Sequence, residues 1–177
     1  MDLIEKEVRK NYIYKGKILN LRADDVMLPD GSLSTREYVE HRGGASVLAV
    51  DDEGYVYLVK QYRYAYREAI LEIPAGKLEV GEEPIVTAFR ELSEETGLIG
   101  EIEPFGLLYP TPGYTNEPLY VFKATKLKKD VQRLDDGEFL DVIRIPFADA
   151  LQMVMDGVIR DAKTAYAILR YARLNDI

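Results

Sequence analysis

The amino-acid sequence predicts a mixed α/β or α+β sandwich, and three observations predict it. Short apolar runs bounded by turn residues recur along the chain. One segment in their midst, Pro84 to Thr96, carries helical periodicity. Two further helical segments close the C-terminal end. With 177 residues, 47% of them hydrophobic, the chain can bury a core without disulfides or structural metal.

The elements follow in order. Ile18 to Leu28 and Leu33 to His41 read as strands around Pro29-Asp30-Gly31-Ser32, which has the residues of a tight turn. Ala45 to Val50 and Tyr55 to Arg63 flank Asp51-Asp52-Glu53-Gly54 and predict a hairpin. Leu71-Glu72-Ile73 is a short apolar run stopped by Pro74-Ala75-Gly76. The helix starts with Pro84 at its first position and stops at Gly97, with Ile85, Ala88, Phe89 and Leu92 as its apolar stripe. Strands are expected near Phe105 to Tyr109, Leu119 to Ala124 and Phe139 to Ile145. Helices are expected over Phe147 to Met155 and Ala162 to Leu174, with Gly157 between them. Residues 1–42 form an N-terminal β region, and 43–177 the main domain.

Composition narrows the chemistry. There are no cysteines, so thiolate catalysis and Cys-based zinc sites are excluded, and a cytoplasmic setting is consistent with that. The formal net charge of −8 argues against a broad nucleic-acid surface, which needs a positive field. It leaves room for an anionic small substrate carried on a divalent metal. The charged N-terminal stretch does not resemble a signal peptide, and no apolar run has membrane-spanning length. His41 is the single histidine and reads as structural.

The chemistry concentrates on the helix. Glu91, Glu94 and Glu95 stand at i, i+3 and i+4, which puts three carboxylates on one face. They repel one another and sit near the C-terminal end, where the helix dipole disfavours negative charge. A solvated acidic surface is one reading, with Arg90 a surface ion pair. The other is a platform for a hard divalent ion, Mg²⁺ or Mn²⁺, which prefers oxygen ligands.

The surrounding residues bear on that choice. Gly76, Glu82, Arg90, Glu91, Leu92, Glu94, Glu95, Gly97 and Leu98 match, position by position, the pattern G-x5-E-x7-R-E-U-x-E-E-x-G-U, where U is a bulky aliphatic residue. The segment resembles the Nudix box, and on it the chain is identified as a member of the Nudix hydrolase superfamily. That resemblance implies an α/β/α sandwich with a mixed sheet, preceded by an antiparallel N-terminal β region. It implies hydrolysis of a pyrophosphate linked to a nucleoside. Glu91, Glu94, Glu95 and the Ala75 carbonyl would hold metal. Arg90 would orient the glutamates, Glu82 would brace the join of loop and helix, and Gly76 and Gly97 would serve as backbone positions. Such a reaction needs shielded phosphate oxygens neutralised and a base for the attacking water.

Within the superfamily, Glu72-Ile73-Pro74-Ala75-Gly76 resembles the E-x-P-A-G approach of the ADP-ribose and nucleoside-diphosphate-sugar pyrophosphatases. The stretch from Tyr109 to Glu117 resembles their S-P-G-x-[ST]-x-E loop, with Thr111 in place of serine and Pro112 where ADP-ribose preference is marked. Asp135 to Val142 resembles the segment carrying the base. The matching residue is Glu138, with Asp135, Asp136 and Asp141 as competitors. Glu138, Glu94 and Arg90 would therefore serve catalysis. Arg36, Glu37, Arg63, Gly113 and Glu117 match substrate-contacting positions, although Arg36 and Glu37 could equally form an ordinary strand salt bridge. Members of this group exchange N-terminal strands, which implies a homodimer. The first expectation is therefore an ADP-ribose diphosphatase yielding AMP and ribose 5-phosphate. A pyrophosphatase for GDP-mannose or another nucleotide sugar is its rival. A non-catalytic Nudix-like ligand-binding protein is disfavoured by the full set of glutamates, and an RNA 5′-end pyrophosphohydrolase by the acidic balance.

Overall fold

The structure is a computed structural model describing residues 2–177. It divides into two units. One runs to Gly43 and takes in Tyr109–Pro118, and the other comprises Gly44–Leu108 and Leu119–Ile177.

The first unit is an antiparallel sheet of β1 (Lys6–Arg9), β2 (Tyr12–Lys15), β3 (Asn20–Met27) and β4 (Leu33–Glu40). Strand β3 pairs along its whole length with β4, from Asn20 opposite Glu40 to Met27 opposite Leu33. Its other edge takes β1 at the Met27 end and β2 at the Asn20 end. The turn between β3 and β4 forms where expected. Gly31 supplies a φ of 88°, and Asp30 Oδ1 accepts the Ser32 N–H at 2.9 Å. The sheet is pinned by a buried arginine. Arg22 bonds Asp24 and Glu40 and lies over the rings of Tyr12 and Tyr38. The loop Tyr109–Pro118 belongs here through β4, because Val39 N–H donates to the Tyr114 carbonyl at 2.7 Å.

The second unit is a three-layer sandwich. Its strands are β5 (Gly44–Val50), β6 (Tyr55–Arg63), β7 (Glu68–Glu72), β8 (Ala75–Lys77), β9 (Leu98–Leu108), β10 (Leu119–Lys129) and β11 (Leu140–Pro146). Its helices are α1 (Pro84–Thr96), α2 (Phe147–Met155) and α3 (Ala162–Leu174). The sheet runs β11-β6-β5-β10-β9, with β7 paired to β6 and β8 to β5. Only β5 and β10 are parallel, so the sheet is mixed. Strand β5 is buried throughout, which is what a strand covered on both faces requires. Its side chains alternate between two cores. Ala45, Val47 and Ala49 join Ala88 and Leu92 of α1. Leu48 and Val50 join Phe147 and Ala150 of α2 and Ala167 and Ile168 of α3.

Beyond the unforeseen strands β1 and β8, two details differ from the sequence reading. The strand expected at Phe105 starts at Leu98, directly after α1, and β10 continues to Lys129. Both carry charged residues on an exposed side, which hides their length from an apolar-run criterion. The buried face of α1 is also rotated. Thr87, Ala88, Leu92 and Glu95 are buried, whereas Ile85 and Phe89 are 43% and 47% exposed. A carboxylate has displaced an aromatic ring from the face that meets the sheet. Among the described residues no helix is long and apolar enough to cross a membrane.

Leu92→Ala should therefore cost about 2–5 kcal/mol in urea unfolding, the usual range for emptying a leucine site. Phe89→Ala should cost well under half of that. Equal losses would put the buried face back on the stripe read from periodicity.

Candidate active site

The site is built where α1 lies against β8. The chain leaves β7 at Glu72, passes Ile73 and Pro74, and pairs as β8 with β5, Ala75 opposite Ser46 and Gly76 opposite Ala45. This presents the Ala75 N–H to α1, and it donates to Glu95 Oε2 at 3.0 Å. Glu95 is only 2% exposed. Gly76 is needed for close approach. A Cβ there would stand 1.7 Å from Glu91 Oε1, so only glycine leaves room for that carboxylate. Gly97 ends the helix with a φ of 65°, its N–H donating to the Ser93 carbonyl.

Arg90 organises the outer part. Its Nη1 donates to Glu91 Oε1 at 2.7 Å and Glu94 Oε2 at 2.9 Å, and its Nε to Glu82 Oε1 at 3.2 Å. The Arg90 guanidinium holds the Glu82 carboxyl down to about 2. Glu82 also accepts the Glu79 N–H at 3.1 Å, which ties the loop before α1 to the helix.

Glu138 approaches from the other side. Gln61 Nε2 on β6 donates to Glu138 Oε1 at 3.0 Å. Its negative charge is felt by both Glu91 and Glu95. Burial, then the charges of Glu91 and Glu138, push the Glu95 carboxyl up to about 8. Burial also raises Glu91, against the opposing pull of Arg90. Glu91 and Glu95 are thus largely withdrawn from solvent, whereas the Glu94 side chain is 32% exposed.

A further group of charges lies beside these residues. Arg63 forks onto Glu72, with Nη2 to Oε2 at 3.0 Å, and Lys163 of α3 bonds the same Oε2. Glu72 is 2% exposed, and Arg63 contributes favourably to the charge of Glu95. The sequence reading named Arg63 but missed Glu72, Lys163 and Gln61 as members of the site. A carboxylate inside the apolar run Leu71-Glu72-Ile73 was the available signal for Glu72. Nothing local marks Lys163, which arrives through tertiary packing alone.

The fold thus gathers Ala75, Gly76, Glu82, Arg90, Glu91, Glu94, Glu95, Glu138 and Arg63 within one unit. Arg36, Glu37, Gly113 and Glu117 fall in the other. There Arg36 bonds Glu5 rather than Glu37, with Nε to Oε2 at 2.9 Å, so the strand pair Arg36-Glu37 does not form. Glu37 and Gly113 are exposed, and Glu117 N–H donates to Thr115 Oγ1 at 3.2 Å.

Among the described residues no three acidic side chains converge as a ready metal cage, because Glu91 and Glu94 are turned onto Arg90. The donor set nevertheless fits a hard divalent cation. It is all oxygen, Gly76 leaves room for the Glu91 carboxylate, and two like neighbours disfavour the charged form of Glu95, which a cation would favour. Such an arrangement can hold a cation and present a carboxylate to water.

The chain is similar to known proteins both by family and over its whole length. Residues 40–166 match the NUDIX domain family, and residues 5–39 match the nucleoside diphosphate sugar hydrolase N-terminal domain. An ADP-ribose pyrophosphatase of Bacillus subtilis (strain 168) is 45% identical, over 98% of this chain and 95% of its own length. A methanol dehydrogenase activator of Bacillus methanolicus is 41% identical, over 97% and 94%. A GDP-mannose pyrophosphatase of Klebsiella pneumoniae is 34% identical, over 84% and 80%.

The raised carboxyl of Glu95 has a measurable consequence. Without metal, the native state keeps a proton that the unfolded chain releases above 4.5, so stability falls as pH rises from about 4.5 to about 8 and then levels. Thermal unfolding in chelator across that window should show the fall, and Glu95→Gln should flatten it. An unchanged slope in the variant would assign the effect elsewhere.

Proposed function

The chain belongs to the NUDIX domain family, and from that premise we propose that it hydrolyses the pyrophosphate of nucleoside diphosphate derivatives, with ADP-ribose as the preferred substrate and AMP and ribose 5-phosphate as products. The observation that carries this reading is the buried Glu95 carboxylate, opposed by Glu91 and Glu138 and backed by the opening at Gly76. The full-length likeness to an ADP-ribose pyrophosphatase supports the choice of substrate. The GDP-mannose pyrophosphatase relative supports a nucleotide sugar as the alternative.

Each residue then has a task. Glu95, Glu91, Glu94 and the Ala75 carbonyl would hold Mg²⁺ or Mn²⁺. Bound there, the cation neutralises the diphosphate oxygens and lowers the pKa of water. Arg90 holds both Glu91 and Glu94 here, so both would have to turn from it to reach a cation, while its bond to Glu82 would keep the loop before α1 on the helix. Glu138, steadied by Gln61, takes the proton from the attacking water. Arg63 offers forked donors to a phosphate. Arg36, Glu37, Gly113 and Glu117 are proposed as further substrate-contacting positions.

We read the assembly as a cytoplasmic homodimer formed through the N-terminal sheet. Supporting this, Leu3, Ile4, Val8, Ile13, Tyr14 and Ile18 of that unit are all more than half exposed.

Two measurements test the reading. With Mg²⁺, ADP-ribose should be cleaved faster than GDP-mannose, and Glu138→Gln should lower kcat by roughly 10²–10⁴-fold. Full turnover in that variant would pass the base to Asp135, Asp136 or Asp141. Gly76→Ala should weaken Mn²⁺ binding by roughly 10–100-fold in calorimetry, because the new methyl displaces a supporting carboxylate. Undiminished affinity would remove Glu91 from the metal site.

A further inference from the structure

The first turn of α3 is tied to the site's approach strand at two points. Thr164 Oγ1 accepts the Ile73 N–H at 2.8 Å, and Lys163 Nζ bonds Glu72 Oε2. Both attachments precede Ala75, whose N–H fixes Glu95. The turn is itself well fastened. Asp161 caps α3 by accepting the Thr164 N–H at 3.0 Å, and its Oδ1 lies 3.0 Å from Lys163 Nζ.

Glu72 is the hub of this arrangement. It is 2% exposed, and a carboxylate so buried must be paired. Two cations share it. Arg63 donates through Nε and Nη2, while Lys163, with a side chain only 10% exposed, takes Oε2. A bidentate pair fixes the plane of the guanidinium as well as its position. With Nε and Nη2 committed, Nη1 of Arg63 has no hydrogen-bond partner among the described residues, so one donor edge is left for an anion. Glu72 could not set that plane alone, because a single carboxylate on a strand end can turn about its own side-chain torsions. Lys163, whose Nζ lies 3.0 Å from Asp161 Oδ1, adds a second cation contact at Glu72 Oε2.

We propose that Lys163 is a positioning residue: by fixing Glu72 it aims the free edge of Arg63 at a phosphate of the nucleoside diphosphate. The proposal rests on the hydrolytic reading above and extends it to α3, which carries none of the metal or base residues. Because Lys163 acts through Arg63, its loss affects substrate binding more than the chemical step.

A double-mutant cycle tests this, with KM and kcat for ADP-ribose measured beside the melting temperature. Lys163→Met should raise KM by about tenfold and change kcat by less than about twofold, the pattern for lost uniform binding of a charged group. Lys163→Arg should restore KM. In an Arg63→Ala background, Lys163→Met should add nothing further to KM, because the two act as one unit. A merely structural lysine would lower the melting temperature and leave KM alone, which overturns the proposal. Additive effects on KM overturn it equally, since Lys163 would then act independently of Arg63. If Lys163→Met does not fold, Glu72→Gln with Lys163→Met removes the stranded buried charge. That pair should still raise KM, and a wild-type KM there refutes the role. If the unmodified protein turned over no nucleoside diphosphate, the hydrolytic reading would fail by itself. The same cycle, read on the Kd of inorganic pyrophosphate, would still decide the role of Lys163.

Discussion

The contact on which the rest depends is the one between the Ala75 N–H and the buried carboxylate of Glu95. It fixes the roll of α1 against the sheet. A helix governed by apolar burial alone would turn Ile85 and Phe89 inward, as its periodicity suggests. Instead Leu92 and Glu95 face β5 and β8, and Phe89 is left about half exposed. The hydrophobic cost of that choice is of the order of 1–2 kcal/mol for a half-buried ring. The return is one carboxylate, Glu95, bonded to backbone, with Glu91 mostly buried beside it.

This explains why some of the molecule could be read from its sequence and some could not. The helix limits were legible because Pro84 and Gly97 act locally, through a fixed φ and a left-handed stop. The β3–β4 turn was legible for the same reason. Glu91, Glu94 and Glu95 were legible because helical spacing alone puts them on one face. The burial of Glu95 was not, since it is set by β8, a strand of three residues with no apolar pattern of its own. The long reach of β9 and β10 was hidden by charged residues on their open sides.

The same distinction applies to side-chain partners. Arg36 and Glu37 are neighbours in sequence and invite pairing, yet successive residues on a strand point to opposite faces, and Arg36 instead meets Glu5 from a distant part of the chain. Arg90 and Glu91 are also neighbours, but on a helix the long arginine can bend back along its own turn. It reaches Glu82, Glu91 and Glu94 together. Adjacent opposite charges therefore mean different things on the two kinds of element.

Two glutamates of this unit are equally hidden, Glu72 and Glu95, each 2% exposed, and their surroundings separate structure from chemistry. Burial alone would raise both. Around Glu72 that tendency is overcome by Arg63 and Lys163, and its carboxyl sits below the ordinary value. Around Glu95 burial is joined by Glu91 and Glu138, with one backbone N–H and the more distant Arg63 in opposition, and its carboxyl rises to about 8. The fold supplies two cations to one buried carboxylate and none at bonding distance to the other, so the protonated form of Glu95 is favoured at neutral pH unless a cation from outside the chain joins it. That contrast, more than the number of acidic residues, supports the proposed roles of Glu95 as a ligand and Glu72 as a support.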